Sequence, residues 1–174
     1  MTDIRSDYVK SDTVGVLLWA LQPANRLACE VALQTGWRID DVLALKSDDV
    51  RKALDGKRSI SIKEAKTGKK STKKLPVALL RKLSEIAGRI YVFEGRDDYR
   101  KHRTRQAVFL DIKKAASRFN LKINLAPHSL RKNYAVYLRK QGKTLEQIRN
   151  ELNHKDTATT MIYALADELS SKYG

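Results

Sequence analysis

The sequence predicts an α+β fold, mostly α-helical, with a small antiparallel β-hairpin or three-stranded sheet. Three observations carry that prediction. Apolar residues recur at helical spacing along most of the chain. One stretch, Arg58-Ser59-Ile60-Ser61-Ile62-Lys63-Glu64, instead alternates apolar and polar with period two. The three prolines and eight glycines fall between helical patterns and build no linker. A chain of 174 residues suits one domain with a real core.

The elements follow in order. Residues 13–22 form a first helix: Thr13 can cap it, and Val14, Leu17, Leu18 and Leu21 share a face. Pro23 interrupts, and a second helix runs over 24–35 to Gly36. A short third helix covers about 39–46. The hairpin then pairs 58–64 with Lys73-Lys74-Leu75-Pro76-Val77 across a turn at Thr67-Gly68-Lys69-Lys70, and residues 50–55 are a candidate third strand.

A helix at 78–87 ends at Gly88, before the short extended piece Tyr91-Val92-Phe93 and a basic stretch at 95–106. Residues 105–119 place Val108, Phe109, Ile112, Ala115, Ala116 and Phe119 on one helix face. The next helix, about 129–141, turns Leu130, Tyr134, Tyr137 and Leu138 inward and stops at Gly142. Thr144 caps a helix from Leu145 to Leu152, and a last helical segment covers about 156–172.

Charge narrows the partner. Thirty-five Lys and Arg against 20 Asp and Glu leave a net +15. So large an excess in one domain is expected of a protein that meets phosphate backbones, with anionic membrane surfaces as the rival. A hydrophobic content of 42% excludes a disordered basic tail. Cys29 is the one cysteine, so no internal disulfide forms, and it reads as a small core residue. The start, Met1-Thr2-Asp3-Ile4, does not read as a signal peptide, and the apolar run Val14 to Leu21 is too short to span a bilayer. A cytoplasmic protein is the expectation, with no membrane partner.

From Lys63 to Lys74 there are six lysines and a single acid, Glu64. Lysines on a hairpin tip either reach toward a phosphate-lined groove or guard a solvated turn against edge pairing. Lys63, Lys69, Lys70 and Lys73, with Arg103 and Arg105 farther on, are the DNA-surface candidates. Lys66 differs, because the strand entering the turn can aim it. The three histidines, His102, His128 and His154, have no cysteine partners and no His-Glu-x-x-His spacing, so no metal is expected. His128 and Arg131 sit one helical turn apart at a helix start. A guanidinium and an imidazole on one face can hold a phosphate, aided by the helix N-terminus. Alone, such a pair is more commonly a satisfied surface contact. Tyr163, read alone, is a core tyrosine.

Together these residues resemble the catalytic domain of the tyrosine recombinases, the phage integrase family. Four segments carry the likeness in order. Thr35-Gly36-Trp37-Arg38-Ile39-Asp40-Asp41-Val42-Leu43-Ala44-Leu45 is similar to the first arginine box, and Lys66-Thr67-Gly68-Lys69 to the hairpin-lysine motif. His128-Ser129-Leu130-Arg131 matches H-x-x-R, and Leu152-Asn153-His154 through Ile162-Tyr163 resembles the final histidine and tyrosine box. Three positions depart from the usual pattern. Asn153 replaces a glycine, and asparagine tolerates left-handed backbone angles. Asp41 replaces glutamate, and Trp37 replaces an aliphatic residue.

The resemblance implies cleavage and rejoining of double-stranded DNA through a 3′-phosphotyrosyl bond, without metal, nucleotide or other cofactor. Arg38 and Arg131 clamp the phosphate, where bidentate guanidinium donors suit the oxygens. His128 binds the phosphate or takes the tyrosine proton, Lys66 is the general acid, and His154 donates a hydrogen bond. Asp41 orients the others, and Tyr163 is the nucleophile. The resemblance further implies a bacterial or mobile-element source and a homo-oligomer, a tetramer, on DNA. Residues 164–174 (Ala164, Leu165, Ala166, Leu169) would dock on a neighbour or pack on their own subunit. The expectation is a single catalytic domain over 1–174, core about 10–170, with no room before Thr13 for a core-binding or arm-binding domain. Two alternatives stand beside it: a catalytically inactive DNA-binding module or regulator on the same scaffold, and type IB topoisomerase-like nicking and closing.

Overall fold

A computed structural model describes residues 8–122, 124–166 and 168. Helices α1 (Ser11–Trp19), α2 (Pro23–Thr35), α3 (Ile39–Leu43) and α4 (Ser47–Asp55) lead into strands β1 (Ser59–Lys63) and β2 (Lys70–Lys74). Helices α5 (Val77–Ile86), α6 (Arg105–Arg118), α7 (Pro127–Lys140), α8 (Leu145–Glu151) and α9 (Thr157–Ala164) complete the order. The last helix expected from the sequence extends past α9, and its end, with Leu169, lies outside the described residues.

Local chemistry explains the ends. Pro23 opens α2, where its fixed φ costs nothing, and Gly36 closes it with φ 69°. Thr104 accepts from the Ala107 N–H at 3.2 Å to start α6. Thr144 and Gln147 cap α8 reciprocally, at 3.2 and 2.9 Å. Asp156 accepts from the Thr159 N–H at 2.7 Å to start α9.

The sheet has two strands, not three: β1 and β2 pair antiparallel, with Ser61 opposite Thr72. Residues 50–55, the candidate third strand, belong to α4 instead. Asp48 and Asp49 in its first turn favour the positive helix end, and Val50 and Ala53 bury one side.

Two apolar clusters hold the chain. The larger joins α1–α6 around Trp37, Leu43, Leu80, Phe93 and Ile112. Cys29 lies within it fully buried, and burial pushes its thiol up to about 12, so it is an inert core group. The smaller joins α7–α9 through Tyr134, Ala135, Leu138, Ile148, Leu152, Tyr163 and Ala164. Two aromatics leave the faces assigned to them. Phe119 is 45% exposed and Tyr137 57% exposed. Phe119 falls just past the end of α6, and α7 is buried on so many sides that its outward strip is narrow.

Candidate active site

A cavity of about 200 Å³ opens where α3, the hairpin turn and the starts of α6 and α7 meet. Arg38, Asp41, Lys66, Arg105, His128 and Arg131 line it. These residues are up to 93 positions apart in the chain, so packing, not local sequence, gathers them.

Arg38 stands at the start of α3, and its Nη1 donates to Glu64 Oε2 at 2.7 Å. Glu64 ends the β1 side of the hairpin and is buried, 2% exposed. It also accepts from the Thr67 hydroxyl and the Asn153 amide, each at 2.9 Å. Burial alone would raise its carboxyl. The Asn153 and Thr67 hydrogen bonds and the Arg38 charge outweigh burial and hold it below the usual value. Asp41 Oδ1 accepts from the Ala65 N–H at 2.9 Å and so ties α3 to the residue before Lys66. Its Oδ2 is buried with no hydrogen-bond partner among the described residues. Burial, only partly offset by the Ala65 N–H, raises the Asp41 carboxyl.

Arg131 is 3% exposed on the first turns of α7. Its Nη1 donates to the Gly36 carbonyl and its Nη2 to the Leu152 carbonyl. Burial, then the nearby Arg38 charge, lowers it to about 10, so it remains a cation at neutral pH. Gly36 must lack a side chain here: its φ is positive, and a Cβ would lie 2.2 Å from Tyr134 Cδ1. These two carbonyls take two of the five Arg131 N–H donors.

His154 follows a turn in which Asn153 has φ 51°, the left-handed angle expected for the residue in the family's glycine position. Its Nδ1 lies 3.0 Å from Thr160 Oγ1, and its ring meets Tyr163 edge-on at 5.0 Å and 89°. Burial, then the Arg131 and Arg38 charges, lowers the imidazole to about 3. It is therefore neutral at physiological pH. Tyr163 packs its ring into the smaller core at 4% exposure, while its hydroxyl comes 3.5 Å from His128 Nδ1. The ring is thus a core group, as expected for the residue read alone, while the hydroxyl reaches the side of His128. Lys132 Nζ stands 5.6 Å from the same ring.

The DNA-surface candidates separate. Lys63, Lys69 and Lys70 are exposed, with Lys63 directly opposite Lys70 in the ladder. Lys73 is a correction. Its side chain is 11% exposed, paired with Glu151 and 3.4 Å from the Tyr134 hydroxyl, so it braces the fold rather than facing solvent. Arg103 reaches Asn25 Oδ1 at 3.4 Å and lines a different cavity. Arg105 lines the cavity of the clamp itself. His102 rests edge-on against Tyr91 at 5.2 Å. Glu64, Asn153, Thr160 and Lys132 were not singled out as site residues from the sequence. Two left a signal there: Glu64, as the single acid between Lys57 and Lys82, and Asn153, at the family's glycine position.

The family model for the phage integrase family matches residues 9–169, which spans every residue of this constellation. The chain belongs to the phage integrase family. Among curated members it is similar to a tyrosine recombinase of Thermosipho africanus, 28% identical over 165 residues, 90% of this chain and 56% of that protein. It is also similar to tyrosine recombinase XerC of Herpetosiphon aurantiacus, 29% identical over 155 residues, 86% of this chain and 50% of that protein. The chain thus spans about half the length of these relatives. Solved folds agree. The XerA recombinase superimposes with TM-score 0.73 at 18% identity over all of this chain and 66% of that one. A lambda integrase dimer bound to a COC′ core site gives TM-score 0.73 at 20% identity over 94% of this chain and 61% of that one. Among the described residues, no cluster of three or more His, Cys, Asp and Glu is arranged to hold a metal ion. No described helix is long and apolar enough to cross a membrane.

Proposed function

We propose that this chain is the catalytic unit of a site-specific DNA recombinase, cutting and rejoining strands through Tyr163. One observation carries the reading. Four cations or imidazoles, Arg38, Lys66, His128 and Arg131, converge on one cavity, and the Tyr163 hydroxyl lies 3.5 Å from one of them.

The chemistry follows from the donors. A phosphodiester entering the cavity meets the unspent N–H groups of Arg38 and Arg131, which stabilise charge building on the non-bridging oxygens. The Tyr163 oxygen attacks phosphorus as its proton passes to His128. The bond from phosphorus to the 5′ oxygen breaks, and Lys66 protonates that oxygen as it leaves. A 3′-phosphotyrosyl bond and a 5′ hydroxyl result. Attack by a 5′ hydroxyl from another strand reverses the step, so no external energy source is consumed. Neutral His154 donates from Nε2 in the tautomer whose Nδ1 accepts from Thr160, a hydroxyl proton that the Asp156 carbonyl also faces at 3.3 Å. Asp41 and Glu64 hold the frame. Double-stranded DNA is the partner, supported by the lambda integrase dimer solved on a core site, and assembly as a tetramer on DNA is the corresponding oligomer.

A DNA substrate with a nick close to the cleavage site traps the covalent step, because the short released strand diffuses away. The wild-type chain is expected to form a denaturation-resistant protein–DNA adduct, and Tyr163→Phe none. Salt-sensitive DNA binding without any adduct would instead assign the chain to the binding-module class. Plasmid relaxation with no strand exchange would assign it to the topoisomerase class.

A further inference from the structure

Glu64 takes no part in the reaction as written, yet its side chain touches three parts of the site. Its Oε2 accepts from Arg38 at 2.7 Å and from the Thr67 hydroxyl at 2.9 Å, and its Oε1 accepts from Asn153 at 2.9 Å. Each partner is a site residue or its neighbour. Arg38 is half of the clamp, Thr67 follows Lys66, and Asn153 precedes His154. The Glu64 backbone is itself held: its N–H donates to the Lys69 carbonyl at 2.9 Å, and its carbonyl accepts from Gly68 at 2.8 Å. The chain just before Asn153 is secured as well, since Glu151 pairs with Lys73 and the Leu152 carbonyl accepts from Arg131. Glu64 joins Arg38, the hairpin turn and the histidine turn through one carboxylate.

We propose that Glu64 is a positioning residue that fixes Arg38, the Lys66 turn and the His154 turn in one frame, so that clamp, acid and nucleophile helix are set before DNA arrives. The catalytic consequence rests on the proposed strand-cleavage function; the positioning itself does not. A buried carboxylate has the right chemistry, because it accepts three charge-assisted or neutral donors at once and an amide cannot. The Asn153 amide supplies what a glycine at that position would lack, a side-chain anchor to the hairpin. Arg38 keeps its remaining donors for the phosphate, so Glu64 orients the guanidinium without displacing the substrate.

Two measurements on the 174-residue chain test this. The first is the single-turnover rate of adduct formation at saturating DNA, beside DNA affinity and melting temperature. Displacing catalytic groups by about 1 Å costs on the order of 100-fold in rate. Glu64→Ala is therefore expected to cleave roughly 100-fold slower, and Glu64→Gln, which keeps the shape and part of the bonding, roughly tenfold slower. Affinity for DNA should stay the same or tighten, since a negative charge is removed. Asn153→Gly should slow cleavage alone, yet add little to Glu64→Ala, because both remove one contact. Cleavage of the glutamate variants within threefold of wild type overturns the proposal, as does an affinity loss equal to the rate loss.

The second measurement needs no activity: titration of the His154 imidazole by NMR. The charges facing that ring are Arg131, Arg38, Asp156 and Glu64. Removing Glu64 by electrostatics alone would lower the imidazole further. Loosening its turn toward water would raise it toward the ordinary histidine range. An upward shift in Glu64→Ala, with the melting temperature within a few degrees for Glu64→Gln, supports positioning. No shift or a downward one overturns it. If the wild type forms no adduct, the functional reading falls, while the titration still decides the role of Glu64.

Discussion

At the scale of single residues, burial sets the charge state of the site. His154 is neutral because taking an imidazolium out of water beside two guanidinium groups is unfavourable. Its value falls from 6.5 to about 3 on folding, so the unfolded chain binds the extra proton first. The stability this contributes is complete above about 6.5 and is lost as pH falls toward 3. Urea unfolding at a series of pH values is expected to show the midpoint dropping over that window. His154→Gln, which has no proton to gain, should flatten the drop; an unchanged slope would show that the imidazole is not desolvated. Arg38, Lys66, His128, Arg131, His154 and Tyr163 were legible in the sequence because their types recur in motifs of fixed local spacing. Glu64 was not, because its importance lies in three hydrogen bonds, two of them to residues 26 and 89 positions away.

At the scale of elements, the helix ends did much of the placing. Gly36 stops α2, frees a carbonyl for Arg131 and lets the Tyr134 ring of α7 lie against the backbone. Gly36→Ala adds a left-handed penalty of about 1–2 kcal/mol and an overpacking cost of about 1–3 kcal/mol. Denaturant unfolding of this variant is expected to show a loss of about 2–5 kcal/mol, with DNA cleavage falling as Arg131 loses its acceptor. A loss of only about 1–2 kcal/mol, the left-handed penalty alone, would mean that Tyr134 moves aside freely. The element boundaries were mostly legible, since proline, glycine and the capping Thr144 are local signals. The supposed strand at 50–55 was not. Its helix depends on Val50 and Ala53 finding the core, a fact about the partner surface rather than the segment.

At the scale of the whole molecule, the net charge of +15 divides by partner. Lys73 is paired internally and Arg131 and Arg38 give part of their donors to internal acceptors, while Lys63, Lys69 and Lys70 remain exposed on the hairpin. Lys63 directly opposite Lys70 is a like-charge pair that weakens the free hairpin. A phosphate backbone lying between them would relieve that repulsion. Each phosphate neutralised contributes a slope of about 0.9 in log affinity against log salt. Lys63→Gln with Lys70→Gln is therefore expected to lower that slope by about 1.8, read by fluorescence anisotropy at several salt concentrations, while stabilising the free protein slightly. Lys73→Gln should leave the slope alone and destabilise the fold.

The sequence by itself determined the fold class, most of the helical elements and the family, because periodicity, caps and short motifs are local and survive without coordinates. Tertiary structure alone decided which lysines face outward, that His154 is neutral, and that one carboxylate links the clamp to two turns. Those properties depend on desolvation and on distances between residues far apart in the chain, and neither is written in the order of the residues until the core closes over them.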